Sequence, residues 1–219
     1  DDGHGTSTSG LAVGDDGAGN EIGVAPGARL IGCRNMDQGN GTPARYTECF
    51  EFFLAPTELA GSSPRPELGA DVINDSWGCP PSEGCTDPEI LRAVIENVRA
   101  AGVFVVVSAG NGGPGCATVS EVPAIYAASF SVGATDDGDA IAGFSSSGPV
   151  TVAGSTRLKP AVVEPGVDGG PGAGAPSGAA ASAPAGSPDH SAAARSSGSS
   201  TAAGARPMAA QAAASRAMG

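Results

Sequence analysis

Residues 103–113 read VFVVVSAGNGG, and this stretch decides the fold. Its apolar run is typical of a strand buried on both faces at the centre of a parallel sheet. The small residues Ser108, Ala109 and Gly110 follow and leave room for a ligand near the backbone. The next residue, Asn111, carries an amide that donates hydrogen bonds. Ligands of open α/β sheets bind beyond the carboxyl ends of strands, so a site is predicted here, although a plain turn explains Gly-Asn equally well.

Strands and helices alternate on both sides of this strand. Further strands are predicted at Ala28–Met36, Ala70–Ser76 and Ser129–Ala134. Helices are predicted from His4, over Thr42–Leu54, and from Thr86 towards Gly102. Strand, helix and strand repeated in this way predict an α/β fold with a parallel sheet and helices on both of its faces.

The composition limits the partners. The formal net charge of −12 disfavours nucleic acid and anionic membrane surfaces as partners. The sequence contains no run of the ~20 apolar residues that a membrane-spanning helix needs. We therefore expect neither nucleic-acid binding nor membrane insertion.

The chain has five cysteines, and none of them has the CxxC spacing of a zinc or redox site. Disulfides formed in an oxidising compartment are the better interpretation, and Cys79–Cys85 is expected to close a short local loop. The other pairings remain open. Together with the acidic composition, these cysteines suggest an extracellular protein.

The character of the sequence changes near residue 169. From there to residue 219, 42 of 51 residues are Ala, Gly, Ser or Pro. Such a segment buries too little apolar surface to offset the entropy lost on ordering. We expect a partial globular domain over 1–168 and a disordered tail over 169–219.

One acidic loop raises the question of a metal. Asp15, Asp16 and Asn20 lie in the Gly-rich stretch 14–23 and offer oxygen ligands of the kind that Ca²⁺ prefers. A solvated turn explains the same residues and is favoured. No cofactor is expected, with calcium as a weak alternative.

Seven segments, taken in order, resemble the subtilisin-like serine peptidases, and the bacillopeptidase F-like branch most of all. They are DGHGTSTSG (2–10), IGVAPGARLIGCRN (22–35), VINDSWG (72–78), VVVSAGNGGP (105–114), ASFSVGAT (128–135), FSSSGP (144–149) and RLKPAVVEPGV (157–167). The resemblance implies a three-layer α/β fold and a serine-type endopeptidase that cleaves polypeptides by Ser-His-Asp acyl transfer.

The same resemblance implies roles for particular residues. His4 matches the general base, and Asn111 matches the side chain that donates to the oxyanion. Ser76, Trp77 and Gly78 match the segment that pairs with the substrate backbone. Ser108, Ala109 and Gly110 match one wall of the primary specificity pocket, and their small size would admit a large side chain.

Two members of the triad have no clear match. Asp1 and Asp2 are too near His4 in sequence to reach its ring from a separate strand, which is where the family places its acid. The nucleophile motif is matched only faintly, by residues 198–203 around Ser200. We therefore expect the chain alone to be inactive. The alternative is a non-catalytic peptide-binding or scaffold protein that keeps the protease fold.

Overall fold

The computed structural model describes residues 3–19 and 22–167, together with the backbone of a strand at 208–212. Its main sheet has six parallel strands: β1 (Leu30–Arg34), β4 (Val72–Asp75), β5 (Phe104–Ser108), β6 (Phe130–Thr135), β7 (Val162–Pro165) and β8 (Met208–Ala212). They lie side by side in the order β1-β8-β4-β5-β6-β7. A separate antiparallel pair consists of β2 (Met36–Asp37) and β3 (Asn40–Gly41). The parallel α/β class is confirmed.

Three α-helices accompany the sheet: α1 (His4–Val13), α2 (Pro43–Leu54) and α3 (Arg92–Ala100). Helix α1 packs against β8, α2 against β1 and α3, and α3 against β5. In α2 the predicted apolar stripe is buried, as Tyr46, Cys49, Phe50 and Phe53. The Thr42 side chain caps this helix by accepting from the Arg45 backbone N–H at 3.3 Å.

Strand β5 is less completely covered than its sequence suggests. Val105 and Val107 are buried in the main core, which also contains Ile95 and Val98 of α3. On the other face Val106 is only half-buried, and Phe104 is 42% exposed. Burial is therefore complete on one face of the strand and partial on the other.

Helix α3 begins later than predicted. The residues from Thr86 to Glu89 form turns, in which the Glu89 N–H donates to the Asp87 carboxylate at 2.9 Å, and the helix starts only at Arg92. The reason is a distant contact, because the Leu91 N–H donates to the Tyr126 hydroxyl at 3.2 Å.

Strand β8 lies within residues 169–219, the segment for which the sequence predicts disorder. It pairs with β1 on one side and β4 on the other. Both neighbours present backbone groups that need partners, and backbone pairing does not require apolar side chains. The rest of the segment, including Ser200, lies outside the described residues.

The structure has two disulfides, one that closes a local loop and one that links β1 to α2. Cys79–Cys85 closes the predicted local loop, which confirms that pairing. Cys33 of β1 is bonded to Cys49 of α2, a pairing that the sequence left open, and Cys116 is a free, exposed thiol. None of the described helices is long and apolar enough to cross a bilayer.

Candidate active site

The predicted site residues follow two neighbouring strands. β4 and β5 are parallel and paired, with Asp75 opposite Val107 near their carboxyl ends. Ser76, Trp77 and Gly78 continue from β4, and Ala109 to Asn111 continue from β5. The two segments therefore leave the sheet at the same edge, as expected for a ligand-binding edge in an α/β fold.

His4 joins this edge from the start of helix α1. The preceding Gly3 is the N-cap and has a φ of 81°, a left-handed conformation that glycine adopts without strain. The His4 Nε2 atom lies 3.1 Å from the Ser76 backbone oxygen. Because a carbonyl only accepts hydrogen bonds, Nε2 is the protonated nitrogen in this contact. His4 and Asn111 thus belong to the same edge of the sheet.

A buried serine holds the loop that carries Asn111. The Ser146 N–H donates to the Gly110 carbonyl at 3.0 Å, and the Gly112 N–H donates to the Ser146 hydroxyl at 2.9 Å. Gly110 has a φ of 105°, and an added Cβ there would lie 3.0 Å from the Ser146 hydroxyl. Asn111 itself is exposed, so its amide is accessible to a ligand.

No local sequence pattern predicts a role for Ser146. Residues 144–149 contribute only one segment of the family resemblance. The signal was present in that segment, but the pairing with the Asn111 loop connects residues far apart in sequence. Only the structure shows it.

The Trp77 indole is part of the core. It is 4% exposed and stacks on the Tyr46 ring, with 3.9 Å between ring centroids. The Trp77 side chain is therefore a packed core residue, because α2 supplies an aromatic partner that covers it. Only the backbone of Trp77 remains for pairing with a peptide.

Carboxyl groups surround this aromatic pair. The Tyr46 hydroxyl donates to Glu83 Oε2 at 2.5 Å. The pKa of Tyr46 is raised mainly by burial, and this hydrogen bond raises it further. The pKa of Glu121 is raised mainly by burial, and the negative charge of Glu83 raises it further. Glu121 packs so closely on Gly78 that any Cβ at Gly78 would overlap its carboxylate.

Asp75 lies beneath the site at the end of β4. Its side chain is completely buried, and neither carboxyl oxygen has a hydrogen-bond partner of good geometry. Burial raises the pKa of Asp75 well above its usual range, and the nearby Trp77 indole opposes this only in part. Burial therefore favours the neutral form of the Asp75 carboxyl group.

In the loop that was weighed as a calcium site, two carboxylates accept hydrogen bonds from the backbone of the loop itself. The Asp15 and Asp16 carboxylates accept from the N–H groups of Gly17 and Ala18, each at 2.7 Å. Asn20 lies outside the described residues. Within the described part of the chain, no group of three or more His, Cys, Asp or Glu residues is arranged to hold a metal ion.

With this geometry established, comparison with known proteins defines the class. The sequence model of the subtilase family matches residues 1–216. The chain belongs to the subtilase family, a family of serine-type peptidases.

Two relatives from Bacillus subtilis (strain 168) show the extent of the similarity. Bacillopeptidase F is 40% identical over 172 residues, which cover 75% of this chain and 11% of that protein. Serine protease AprX is 35% identical over 180 residues, which cover 77% of this chain and 38% of that protein. The chain thus spans well under half the length of either relative.

Solved structures agree on the fold. The prenylagaramide maturation protease PagA superposes with a TM-score of 0.56 at 23% identity, covering 75% of this chain and 52% of that one. A mutant of the protease domain of PatA superposes with a TM-score of 0.51 at 27% identity, covering 67% of this chain and 48% of that one. The subtilisin-like architecture is therefore shared.

Proposed function

We propose that this chain carries part of the catalytic centre of a serine-type endopeptidase, with His4 as general base and Asn111 as oxyanion donor. One observation supports this most directly: the contact between His4 and Ser76 brings the imidazole to the edge from which the Asn111 loop also emerges. An imidazole and an amide donor at one edge match what acyl transfer needs, a proton acceptor and a donor to the developing oxyanion.

The substrate is an extended polypeptide. The backbone of Ser76, Trp77 and Gly78 continues β4 beyond its last sheet pairing, and such a segment can pair with a peptide strand. Ser108, Ala109 and Gly110 form the facing wall of the pocket for the side chain next to the cleaved bond. Their small size leaves that pocket wide.

The catalytic serine and the acid of the triad remain to be assigned. Ser200, the faint sequence match, and Asp1 and Asp2 all lie outside the described residues. The buried Ser129, Ser131, Ser145 and Ser146 are closed to substrate. We therefore expect the 219-residue chain alone to bind peptides without hydrolysing them at a useful rate.

Peptide binding tests the proposed site independently of turnover. A protein labelled with ¹⁵N at histidine and asparagine is titrated with an extended peptide amide and followed by NMR. We expect the His4 ring and the Asn111 side-chain amide to shift together. The chain has only two histidines, and the His190 ring serves as the internal control. Binding without a shift at either residue would remove the basis of the proposal.

A non-catalytic peptide-binding protein is the second candidate, supported by the accessible backbone after β4. The two functions are distinguished by the DNA around the coding region. A reading frame that extends upstream into an Asp-bearing strand favours the peptidase, and a true start near Asp1 favours the binding protein.

An extracellular location is part of the proposal. It is supported by two disulfides and by the net charge of −12. A thiol assay on unfolded protein recovered from culture medium should detect one free thiol, Cys116. Five free thiols would contradict this part of the proposal.

A further inference from the structure

Three positively charged side chains gather at the edge of the sheet opposite His4 and Asn111. Arg99 is in the last turn of α3, shortly before β5. Arg157 and Lys159 lie shortly before β7. Because β5, β6 and β7 are parallel neighbours, the segments that lead into them lie at one edge, the amino edge.

One short segment before β6 holds all three cations. The Arg157 guanidinium donates twice to the Ile125 carbonyl, at 2.8 and 3.2 Å. Arg99 donates to the Ala128 carbonyl at 3.1 Å, and Lys159 donates to the Ser129 carbonyl at 2.5 Å. These contacts orient the cations and leave further N–H donors on each of them.

Among the described residues, no acidic side chain forms an ion pair with these three cations. In residues 3–19 and 22–167, the ion pairs found involve Arg34, Arg65 and Arg92 but not these three side chains. Burial, and after it the charges of Arg157 and Arg99, lower the pKa of Lys159 to about 8. The three cations repel one another and form a local positive patch in a protein whose net charge is −12, and such a patch attracts a small anion.

A small cavity adjoins Arg99, one of the three cations. It has a volume of about 210 Å³ and is lined by Arg99, Gly102, Val103 and Phe104. Phe104 is 42% exposed and packs on Phe130, with 5.2 Å between ring centroids. The edge thus offers positive charge beside an exposed aromatic surface.

We propose that Arg99, Arg157 and Lys159 form a binding site for an oxyanion at the amino edge of the sheet, separate from the His4 and Asn111 edge. The ligand is either a free inorganic oxyanion or a carboxylate attached to an apolar group that covers Phe104. A bound anion bridges the remaining N–H donors and screens the repulsion among the cations.

Lys159 is the only lysine in the chain, which gives an unambiguous readout. The full chain is labelled with ¹³C-lysine, and the ε-methylene signal is followed from pH 6 to 10. The titration is run in sodium chloride and, at equal ionic strength, in phosphate or in N-acetyl-Asp-Phe amide. We expect phosphate or the dipeptide to raise the apparent pKa of Lys159, because a bound anion favours the charged amine.

Substitutions show whether the effect comes from this site. Arg99→Gln removes an exposed guanidinium and should weaken anion binding about fivefold, the loss of one charge-assisted contact. Arg157→Gln should do the same and provides a second test. Arg65→Gln is the matched control, since it removes an exposed arginine paired with Glu67 elsewhere, and it should leave binding unchanged.

Each outcome decides between the alternatives. A shift in phosphate alone identifies the ligand as a free oxyanion, and a stronger shift in the dipeptide identifies a carboxylate with an apolar group. Identical titrations in chloride, phosphate and dipeptide overturn the proposal. A shift that persists undiminished in both Arg99→Gln and Arg157→Gln also overturns it, because the anion then binds elsewhere.

Discussion

The His4 Nε2 atom donates a hydrogen bond to the Ser76 backbone oxygen at 3.1 Å, which links the first turn of α1 to the end of β4. A nitrogen that donates to a carbonyl cannot accept a proton at the same time. For His4 to act as a general base through Nε2, the ring must leave this contact. The proposed catalytic role of His4 therefore requires a ring orientation different from the one described.

The first prediction concerns turnover. The 219-residue chain should hydrolyse a chromogenic peptide no faster than its His4→Ala variant, because losing the serine or the histidine of a triad costs about as much as losing all three members. The measurement is the initial rate at equal protein concentrations. A clearly faster rate for the unmodified chain would overturn this expectation, and fluorophosphonate labelling followed by mass spectrometry would then locate the serine.

The second prediction concerns the Asn111 loop. Ser146→Ala removes the hydroxyl that accepts from the Gly112 N–H and should lower the free energy of unfolding by about 1–2 kcal/mol. Hydrogen exchange at the Gly112 amide should become faster. Ser147→Ala is the matched control, since the contacts of Ser147 with Thr118 run through its backbone. Equal Gly112 exchange in both variants would show that Ser146 does not hold the loop.

The third prediction concerns the pH dependence of stability. Burial raises the pKa of Asp75 in the folded protein well above the ordinary value of 3.8, so stability is lost as pH rises from there towards the raised folded pKa. Asp75→Asn should remove this loss and raise the free energy of unfolding at neutral pH by about 1–3 kcal/mol, with little effect near pH 3.

Urea unfolding between pH 3 and 8 measures the effect of Asp75→Asn. The exposed Asp137, replaced by Asn, is the control and should leave the pH profile unchanged. A larger stability gain from Asp75→Asn at pH 3 than at neutral pH would contradict the sign derived from the raised pKa.

The fourth prediction concerns the contact between Gly78 and Glu121. A methyl group at Gly78 would overlap the end of the exposed Glu121 side chain, which can rotate away, so Gly78→Ala should destabilise the fold by less than about 1 kcal/mol. Glu121→Ala removes the obstacle, and the double variant should recover most of the loss. Thermal unfolding of all four proteins gives the coupling energy, and strict additivity would indicate that the two residues do not interact.

Patterns within one short segment of sequence predicted the elements whose contacts lie close together in the chain. The apolar stripe of α2 was predicted because its buried residues recur with the helical period and their partners lie on one face. The Cys79–Cys85 bridge was predicted because so short a loop keeps the two thiols together.

Long-range contacts account for what the sequence did not reveal. The start of α3 depends on Tyr126, the burial of Trp77 depends on Tyr46, and the Asn111 loop depends on Ser146. Each partner belongs to a different part of the chain, so no pattern within one segment encodes the contact. The placement of His4 and Asn111 at one edge followed instead from the family resemblance.

The position of β8 has a consequence for how the molecule is assembled. It is the last strand in sequence among those described, yet it lies between the first and the fourth. Until residues 208–212 have been synthesised and docked, β1 lacks its neighbour in the main sheet and β4 has one bare edge. Such a topology delays long-range pairing and leaves bare strand edges open to association between nascent chains. Expression at low temperature and low concentration should therefore increase the soluble yield.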